Sequence, residues 1–527
     1  MSQAEAFSSD LEKQLSKWLG AIPLLIPIFQ RLNVVEIINR YTPCEADVDS
    51  GTVALILALN RLMAHRPLYK VADWMAETVL QETLGIAHEK LHDRRIGDLL
   101  DAISPHLDSI WKEIVSKAVS EFGINIDFIH YDITSIYFEG VYSEADLLEY
   151  GYSRDNKPHC KQVNLRLNVT SDDGIPLAFK VISGSTADRT TPIENMRSLR
   201  QVLEGLPNSD QLVIVSDQAM LSASVIVTYQ KLGIGYLGPL ATIKAYEEVL
   251  MSCSTEELLT HPLDYHPQNQ KADEPSRYYG LLTEVTIFDE KTKKSVSAQA
   301  LLLYSRNKAK LDLSKRETLL NRYLTRLKQI KEYLNQRKYK KAGYTEAQIK
   351  KAQNTYRSVA ALVDVQLSGS DGQLTLCFEI NQKKLAQAKE RDGRYLLVTN
   401  RPLSALEMLT RFKQQDKVEK RNRTIKGPIR IRPIFLHKQE RIESLIFICM
   451  LALLVFSILE MEAKRRGIVM TGTALIEQFA TLSAVYSFFN DGSCYRQLVP
   501  LTEFQQQFLL TLQLPEPEIY LQPIKRE

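Results

Sequence analysis

The chain has few cysteines, and they are not arranged as metal ligands or as a disulfide framework. Its 527 residues contain six cysteines without a CxxC pair, and its nine histidines show no HExxH or other close metal-ligand spacing. We therefore expect neither a zinc ribbon nor a disulfide-stabilised scaffold. Sparse, scattered cysteines are typical of a protein in a reducing cytosol.

Long apolar runs and targeting signals are also scarce. The longest apolar run covers residues 445–459 and contains one serine. Because a membrane-spanning helix needs about 20 apolar residues, this run predicts a buried core helix and no membrane partner. Residues 1–17 are polar with mixed charge, so no secretory signal is expected.

The small net charge of +3 conceals two strongly basic segments. Residues 306–357 hold 16 Lys/Arg against four Asp/Glu, a net of +12, and residues 411–441 hold 11 against three, a net of +8. Such local concentration indicates contact with a polyanion, most simply nucleic acid. A solvated helix surface is the alternative, and it suits the first segment better than the second.

The order of helical and strand-like patterns predicts the organisation of the chain. Residues 1–122 carry apolar residues at helical spacing and all three tryptophans, which predicts an all-α N-terminal domain. Three strands are then predicted at residues 128–138, 162–170 and 176–183; with no helix between them, they form an antiparallel meander. A helix leads to a fourth strand at residues 211–216, and such a crossover usually sets the strand parallel to an earlier one.

Two carboxylates occupy special places in this predicted sheet. Asp132 lies inside the first strand, and Asp217 ends the fourth. A buried carboxylate costs free energy unless it is hydrogen-bonded, paired or bound to a cation. If the two strands are neighbours, the carboxylates repel each other unless a divalent cation lies between them. The pair favours a metal site over two unrelated structural aspartates.

A third carboxylate lies on a later predicted helix with an unusual polar face. Residues 404–407 form a capping-box pattern that begins the helix, and Gly427-Pro428 ends it. At about 100° per residue, five residues share one narrow face. They are Phe412, Gln415, Glu419, Arg423 and Lys426. From periodicity alone a solvated face is the simpler interpretation, but the two upstream carboxylates favour a site. Three such acids are what two-metal phosphoryl transfer requires.

These residues resemble the DDE-type insertion-sequence transposases, and in particular the branch with a β-rich insertion before the glutamate. In that branch the third acid lies in the pattern Tyr-x2-Arg-x3-Glu-x6-Lys. The spacing is kept here, with Phe412 and Gln415 standing in place of the Tyr and the Arg. Other similar stretches lie at residues 152–155, 161–164, 184–188, 393–400 and 432–435. The resemblance covers residues 124–465.

The resemblance implies a catalytic role for the acids and a DNA substrate. Asp132, Asp217 and Glu419 would be the catalytic and metal-binding triad, holding two Mg²⁺ or Mn²⁺ ions. The residues implied to contact DNA are Lys426, Arg423, Gln415 and Phe412. The partners would be double-stranded DNA, as terminal inverted repeats and as target, in a complex with a homodimer that pairs two element ends. The expected location is cytoplasmic and nucleoid-associated.

The corresponding fold is α/β: an RNase H-like mixed sheet flanked by helices and interrupted by a β-rich and helical insertion. We expect an all-α N-terminal domain at residues 1–122, which could bind DNA, and a core in two parts. The first part of the core is residues 123–239, and the second part, with the glutamate helix, is residues 393–470. An insertion with a basic helical arm lies between them at residues 240–392, and a helical tail follows at residues 471–527.

Two other functions remain open from the sequence. A hydrolytic nuclease could use the same fold, although neither the insertion nor the N-terminal domain is needed for simple cutting. A catalytically impaired DNA-binding relic of a transposase is the other, because Phe412 and Gln415 depart from the pattern.

Overall fold

The chain forms a mixed α/β structure made of two units. The computed structural model describes residues 11–140, 142, 145–187, 190–241, 244–266 and 277–523. The first unit combines the described residues up to 220 with those from 413 onward, and the second comprises the described residues from 221 to 412. The chain thus leaves the first unit after Asp217 and returns to it before Glu419.

The N-terminal stretch is helical after one initial strand, β1 (Leu11–Trp18). The helices are α1 (Ile22–Arg31), α2 (Val34–Tyr41), α3 (Ser50–Met63), α4 (Val71–Ala76), α5 (Leu80–Leu84), α6 (Asp93–Ile103) and α7 (Leu107–Phe122). The prediction of an all-α N-terminal domain is wrong at its first element, because residues 11–18 form strand β1. This polar segment forms a strand because it pairs with residues 483–489, near the other end of the sequence.

The first unit contains a sheet of the predicted topology. Its elements are β2 (Phe128–Phe138), β3 (Lys161–Thr170), β4 (Pro176–Ser183), α8 (Pro192–Leu203) and β5 (Val213–Val215). The strands follow the order β4-β3-β2-β5. β3 pairs antiparallel with β2 and β4, and β5 pairs parallel to β2. The predicted meander and the parallel fourth strand are confirmed.

The second unit combines a sheet with a helical subassembly. Its elements are α9 (Ala223–Lys231), β6 (Gly235–Pro239), α10 (Glu247–Leu250), α11 (Thr255–Leu259), β7 (Tyr278–Asp289), β8 (Lys294–Ser305), α12 (Arg306–Glu332), α13 (Ala342–Thr355), α14 (Arg357–Ala360), β9 (Val363–Ser368), β10 (Thr375–Ile380), α15 (Gln382–Glu390), β11 (Arg394–Thr399) and α16 (Ala405–Lys413). Four strands follow the order β6-β11-β8-β7, and β9 and β10 form a separate hairpin. The basic helix α12 buries Tyr323, Leu327 and Ile330 in a core shared with β10 and leaves most of its charged residues exposed.

The C-terminal part of the first unit contains α17 (Asp416–Lys426), α18 (Gln439–Arg465), α19 (Gly472–Phe479), β12 (Ser483–Phe489), β13 (Cys494–Leu498) and α20 (Glu503–Leu512). The helical tail predicted for residues 471–527 is wrong where β12 and β13 form a hairpin, which pairs with β1. The sequence carried a signal for it. Aromatic and β-branched residues in 483–489 precede Asp491-Gly492, a dipeptide typical of tight turns.

Helix α18 is the centre of the first unit. Of its most apolar 18-residue window, 94% is buried. It packs against α1, α3 and α6 on one side and against β4 and α17 on another. The Trp111 indole, stacked edge-on to Phe447 of α18, donates a 2.9 Å hydrogen bond to the carbonyl of Leu177 in β4. The prediction that residues 445–459 form a buried core helix is confirmed.

Candidate active site

The parallel pairing of β2 and β5 brings Asp132 and Asp217 to the same end of the sheet. His130 lies opposite Val215 in this register. Asp132 is two residues beyond His130, and Asp217 two residues beyond Val215, so both aspartates lie at the level where β5 ends. Asp217 Oδ1 accepts a 3.1 Å hydrogen bond from the Met220 backbone, in the turn that follows the strand.

Glu419 reaches the same region from helix α17, which packs on β2 and β3. Burial raises the pKa of Asp132 from its usual 3.8 to about 6, and the negative charges of Asp217 and Glu419 also raise it. The Ile133 backbone N–H and the Arg154 charge act in the opposite direction. The charges of the three acids therefore interact. In the described residues, however, no three His, Cys, Asp or Glu side chains form a preassembled metal-binding cluster.

The raised pKa predicts that ionisation of Asp132 lowers the free energy of unfolding. Between pH 3.8 and about 6 the folded protein retains a proton that the unfolded chain has lost, so this group's contribution to stability is full below pH 3.8 and lost as the pH rises through about 6. At pH 8 the Asp132→Asn variant should therefore be more stable than wild type, by about 2 kcal/mol. Urea unfolding at pH 4 and pH 8, followed by tryptophan fluorescence, measures the difference. Equal stability at pH 8 would contradict it.

Asn422 is a partner of Asp132 that the sequence did not reveal. Its Nδ2 donates a 2.9 Å hydrogen bond to Asp132 Oδ2. Asn422 is only 7% exposed, and its Oδ1 is buried without a hydrogen-bond partner among the described residues. It lies three residues after Glu419, hence on the same side of α17. That spacing is the only signal in the sequence for this contact, because an asparagine does not belong to the pattern of acids and bases on this helix.

Removal of this amide should raise the pKa of Asp132 further. A hydrogen bond donated to a carboxylate favours its ionised form, so Asn422→Ala is expected to shift the pKa above its value of about 6. We expect a shift of about one unit. The pH at which stability declines, measured by urea unfolding, should move upward with it. The exposed Asn125→Ala serves as control and should leave the profile in place.

Lys426 and Asp155 form an ion pair that the sequence did not predict. Lys426 Nζ lies 2.9 and 3.1 Å from the two carboxylate oxygens of Asp155, and Arg432 Nη1 lies 3.1 Å from Oδ2. Burial lowers the pKa of Lys426, while the bond to Asp155 raises it. Arg432 also lies 4.1 Å from the centre of the Tyr137 ring, on β2. The lysine is thus held close to the strand of Asp132 by an acid from the 152–155 stretch.

The predicted shared face of five residues requires one continuous helix, and that prediction is wrong. Helix α16 ends at Lys413, and α17 begins at Asp416. Gln415 lies in the intervening turn without a side-chain capping bond, and Phe412 lies at the end of the second unit. Only Glu419, Arg423 and Lys426 remain on one helix, with Arg423 exposed.

Tertiary contacts favour the break. The side chain of Gln414 accepts a 2.6 Å hydrogen bond from Ser171 Oγ, which lies 2.9 Å from His130 Nε2. His130 is fully buried on β2, so this chain of bonds ties the turn to the sheet. No proline or glycine marks the interruption, which is why periodicity did not find it.

Comparisons with known proteins give distant similarities. A family model described as a domain of unknown function, DUF4277, matches residues 15–116. No curated protein sequence matches the chain. Among solved structures, the piggyBac transposase synaptic complex with hairpin DNA is similar at 9% identity and a TM-score of 0.39, covering 89% of this chain and 82% of that chain.

Two structures of Mos1 transposase are similar at 12% identity. The paired-end complex with the left transposon end has a TM-score of 0.16 and covers 39% of this chain and 63% of that chain. The mariner paired-end complex with manganese has a TM-score of 0.17, and the similarity covers 47% of this chain and 72% of that chain.

Proposed function

We propose that the protein is a DDE-type transposase that cleaves DNA at the ends of a mobile element and transfers the cleaved strand into target DNA. Asp132, Asp217 and Glu419 would be its catalytic acids. The observation that carries the proposal is the parallel pairing of β2 and β5, which brings Asp132 and Asp217 to the same end of the sheet. Burial there, together with the charges of Asp217 and Glu419, raises the pKa of Asp132. A buried carboxyl with a perturbed pKa and other acids nearby is typical of functional sites.

The donor set suits two Mg²⁺ or Mn²⁺ ions. Carboxylate oxygens are preferred ligands of both ions, and a cation would relieve the repulsion that raises the pKa of Asp132. Because the three side chains are not preassembled into a cluster, they would have to rotate toward one another to bind. When bound, such ions supply an activated nucleophile and stabilise the leaving oxygen.

The other residues around the acids have roles in this proposal that follow from their contacts. Asn422 would hold the carboxylate of Asp132 in place through its 2.9 Å hydrogen bond. Lys426 and the exposed Arg423 would contact DNA phosphates beside the acids. Gln415 and Phe412, which precede helix α17, are further proposed DNA contacts.

The proposed substrate is double-stranded DNA, as the element's terminal inverted repeats and as target. The basic segments at residues 306–357 and 411–441 support this choice, with nets of +12 and +8. We further propose that residues 240–392 are the family's insertion, with the RNase H-like core on either side of it. A homodimer would pair two element ends, in a cytoplasmic, nucleoid-associated complex.

An assay of strand transfer tests this function against its alternatives. Purified full-length protein is incubated with pre-cleaved element-end DNA and a plasmid target, with Mg²⁺, with Mn²⁺ and with EDTA. Joined product that requires the metal supports the transposase. Metal-dependent cutting without joining would instead establish a nuclease. DNA binding with neither reaction would establish a catalytically impaired binder, in line with the Phe412 and Gln415 departures.

A further inference from the structure

A cavity of about 420 Å³ lies in the first unit, and none of the three acids lines it. Its walls come from helices α3 and α6, from the loop after α3, from residues between 430 and 436 in the segment that connects α17 to α18, and from the start of α18. The volume is within the roughly 300–1,000 Å³ range of small-molecule sites. Its lining combines arginines, exposed aromatic rings and aliphatic side chains. The proposed function uses the arginines of this lining only as part of the basic segment at residues 411–441, and it assigns the cavity no role.

The cavity contains a buried arginine without a carboxylate partner. Arg61 is only 6% exposed, yet its one hydrogen bond among the described residues joins Nη1 to the Arg430 carbonyl, at 3.3 Å. No acid in the described part of the chain forms an ion pair with it. None of its nitrogen atoms is among the buried side-chain atoms without a hydrogen-bond partner in the described residues, so its other N–H groups are accessible. A guanidinium is suited to an anion because it presents several N–H groups.

The other charges around the cavity leave it positive near Arg61. Arg432 and Arg441 also line it, but they are paired with Asp155 and Asp101. Arg430 is exposed and forms no ion pair within the described residues, and Asp93 is an acid among the lining residues. Burial lowers the pKa of His65, and the charges of Arg430 and Arg61 lower it further. Arg61 and Arg430 therefore contribute two positive charges against the one negative charge of Asp93, which leaves this lining positive.

Two large aromatic rings line the same cavity and are exposed to solvent. Tyr69 is 64% exposed and Phe435 is 70% exposed. Exposed rings beside a cationic pocket are typical of sites that stack a planar base while arginines hold a phosphate.

We infer that this cavity binds a nucleotide, with its phosphate on Arg61 and Arg430 and its base against Tyr69 and Phe435. The same chemistry could come from a free nucleotide or from an unpaired nucleotide of a DNA strand. The inference rests on the cavity and does not depend on the proposed catalysis.

Binding measurements on the full-length protein test the inference. The probes are thymidine 5′-monophosphate, an eight-residue single-stranded oligothymidine and inorganic phosphate, each followed by isothermal titration calorimetry. Arg430→Gln and Phe435→Ala should each weaken nucleotide binding about tenfold. Both residues are exposed, so their replacement leaves the core intact. Arg94→Gln removes an exposed arginine of α6 that does not line the cavity, and it should change nothing.

Each outcome decides the question. If the monophosphate binds and both variants weaken its binding, the ligand is a free nucleotide. If only the oligothymidine binds and both variants weaken its binding, the ligand is an unpaired nucleotide of a DNA strand. If no probe binds, or if the variants bind as wild type does, the inference is wrong. Inorganic phosphate that binds as tightly as the nucleotide would show that no base is recognised, which also overturns it.

Discussion

The Asp132→Asn variant is expected to lose DNA cleavage and strand transfer by at least about 1,000-fold, equivalent to ~4 kcal/mol of transition-state stabilisation. The change keeps the size of the side chain and removes its charge, so it removes a metal ligand without leaving a cavity. The charges of both Asp217 and Glu419 act on Asp132, so we take it as the central acid of the proposed site. The measurement is the rate of joined-product formation with pre-cleaved ends in Mg²⁺.

The same variant provides its own folding control. Because the substitution should stabilise the protein at pH 8, a loss of activity there cannot come from unfolding. Asp127→Asn is the matched control: Asp127 precedes β2, and its backbone carbonyl accepts a 2.7 Å hydrogen bond from Val213. That variant should retain activity within about twofold, since the backbone bond is unchanged. Joining at the wild-type rate by Asp132→Asn would disprove the catalytic assignment.

Replacement of Arg421 should be the most destabilising change near the site. Arg421 is 6% exposed on α17, and its guanidinium donates to the carbonyls of Gly174 and Asp173 at 2.8 and 2.9 Å. Its Nη1 lies 2.6 Å from Glu460 on α18. Arg421→Met would leave two carbonyls and one carboxylate without this partner, and we expect it to cost about 3–5 kcal/mol.

Unfolding in urea, followed by tryptophan fluorescence, measures the loss. Trp18, Trp74 and Trp111 all lie in the first unit, so the signal reports the unit that contains Arg421. Lys420→Met is the matched control. Lys420 is the adjacent residue, and its ion pair with Asp416 is exposed, so its loss should cost at most about 0.5 kcal/mol. If both variants have the same stability, the Arg421 contacts do not hold α17 in place.

Local patterns were sufficient to predict the sheet that carries two of the acids. Alternating and β-branched residues identified β2 to β5, and the crossover helix fixed the parallel direction of β5. Asp132 and Asp217 follow from that topology, because neighbouring parallel strands end at the same edge. Helix α18 was equally predictable, since a long apolar run without charges is buried in a core.

Contacts between distant segments decided what the sequence alone did not show. β1 has no strand signal of its own and depends on pairing with β12. The turn between α16 and α17 depends on the bond from Ser171 to Gln414, and the ion pair of Lys426 depends on a loop some 270 residues earlier. Such bonds join residues with no common periodicity, so no local pattern could reveal them.

By itself, the sequence determined the four strands around Asp132 and the place of Asp217 at the end of the last of them, because these follow from propensity and period over a few neighbouring residues. It also indicated a helix for Glu419, but not the break between Lys413 and Asp416. Only the tertiary structure decided how Asp132 is surrounded. The hydrogen bond from Asn422 and the burial that raises its pKa arise when α17 packs on β2, and they depend on positions in space that are far apart in the chain.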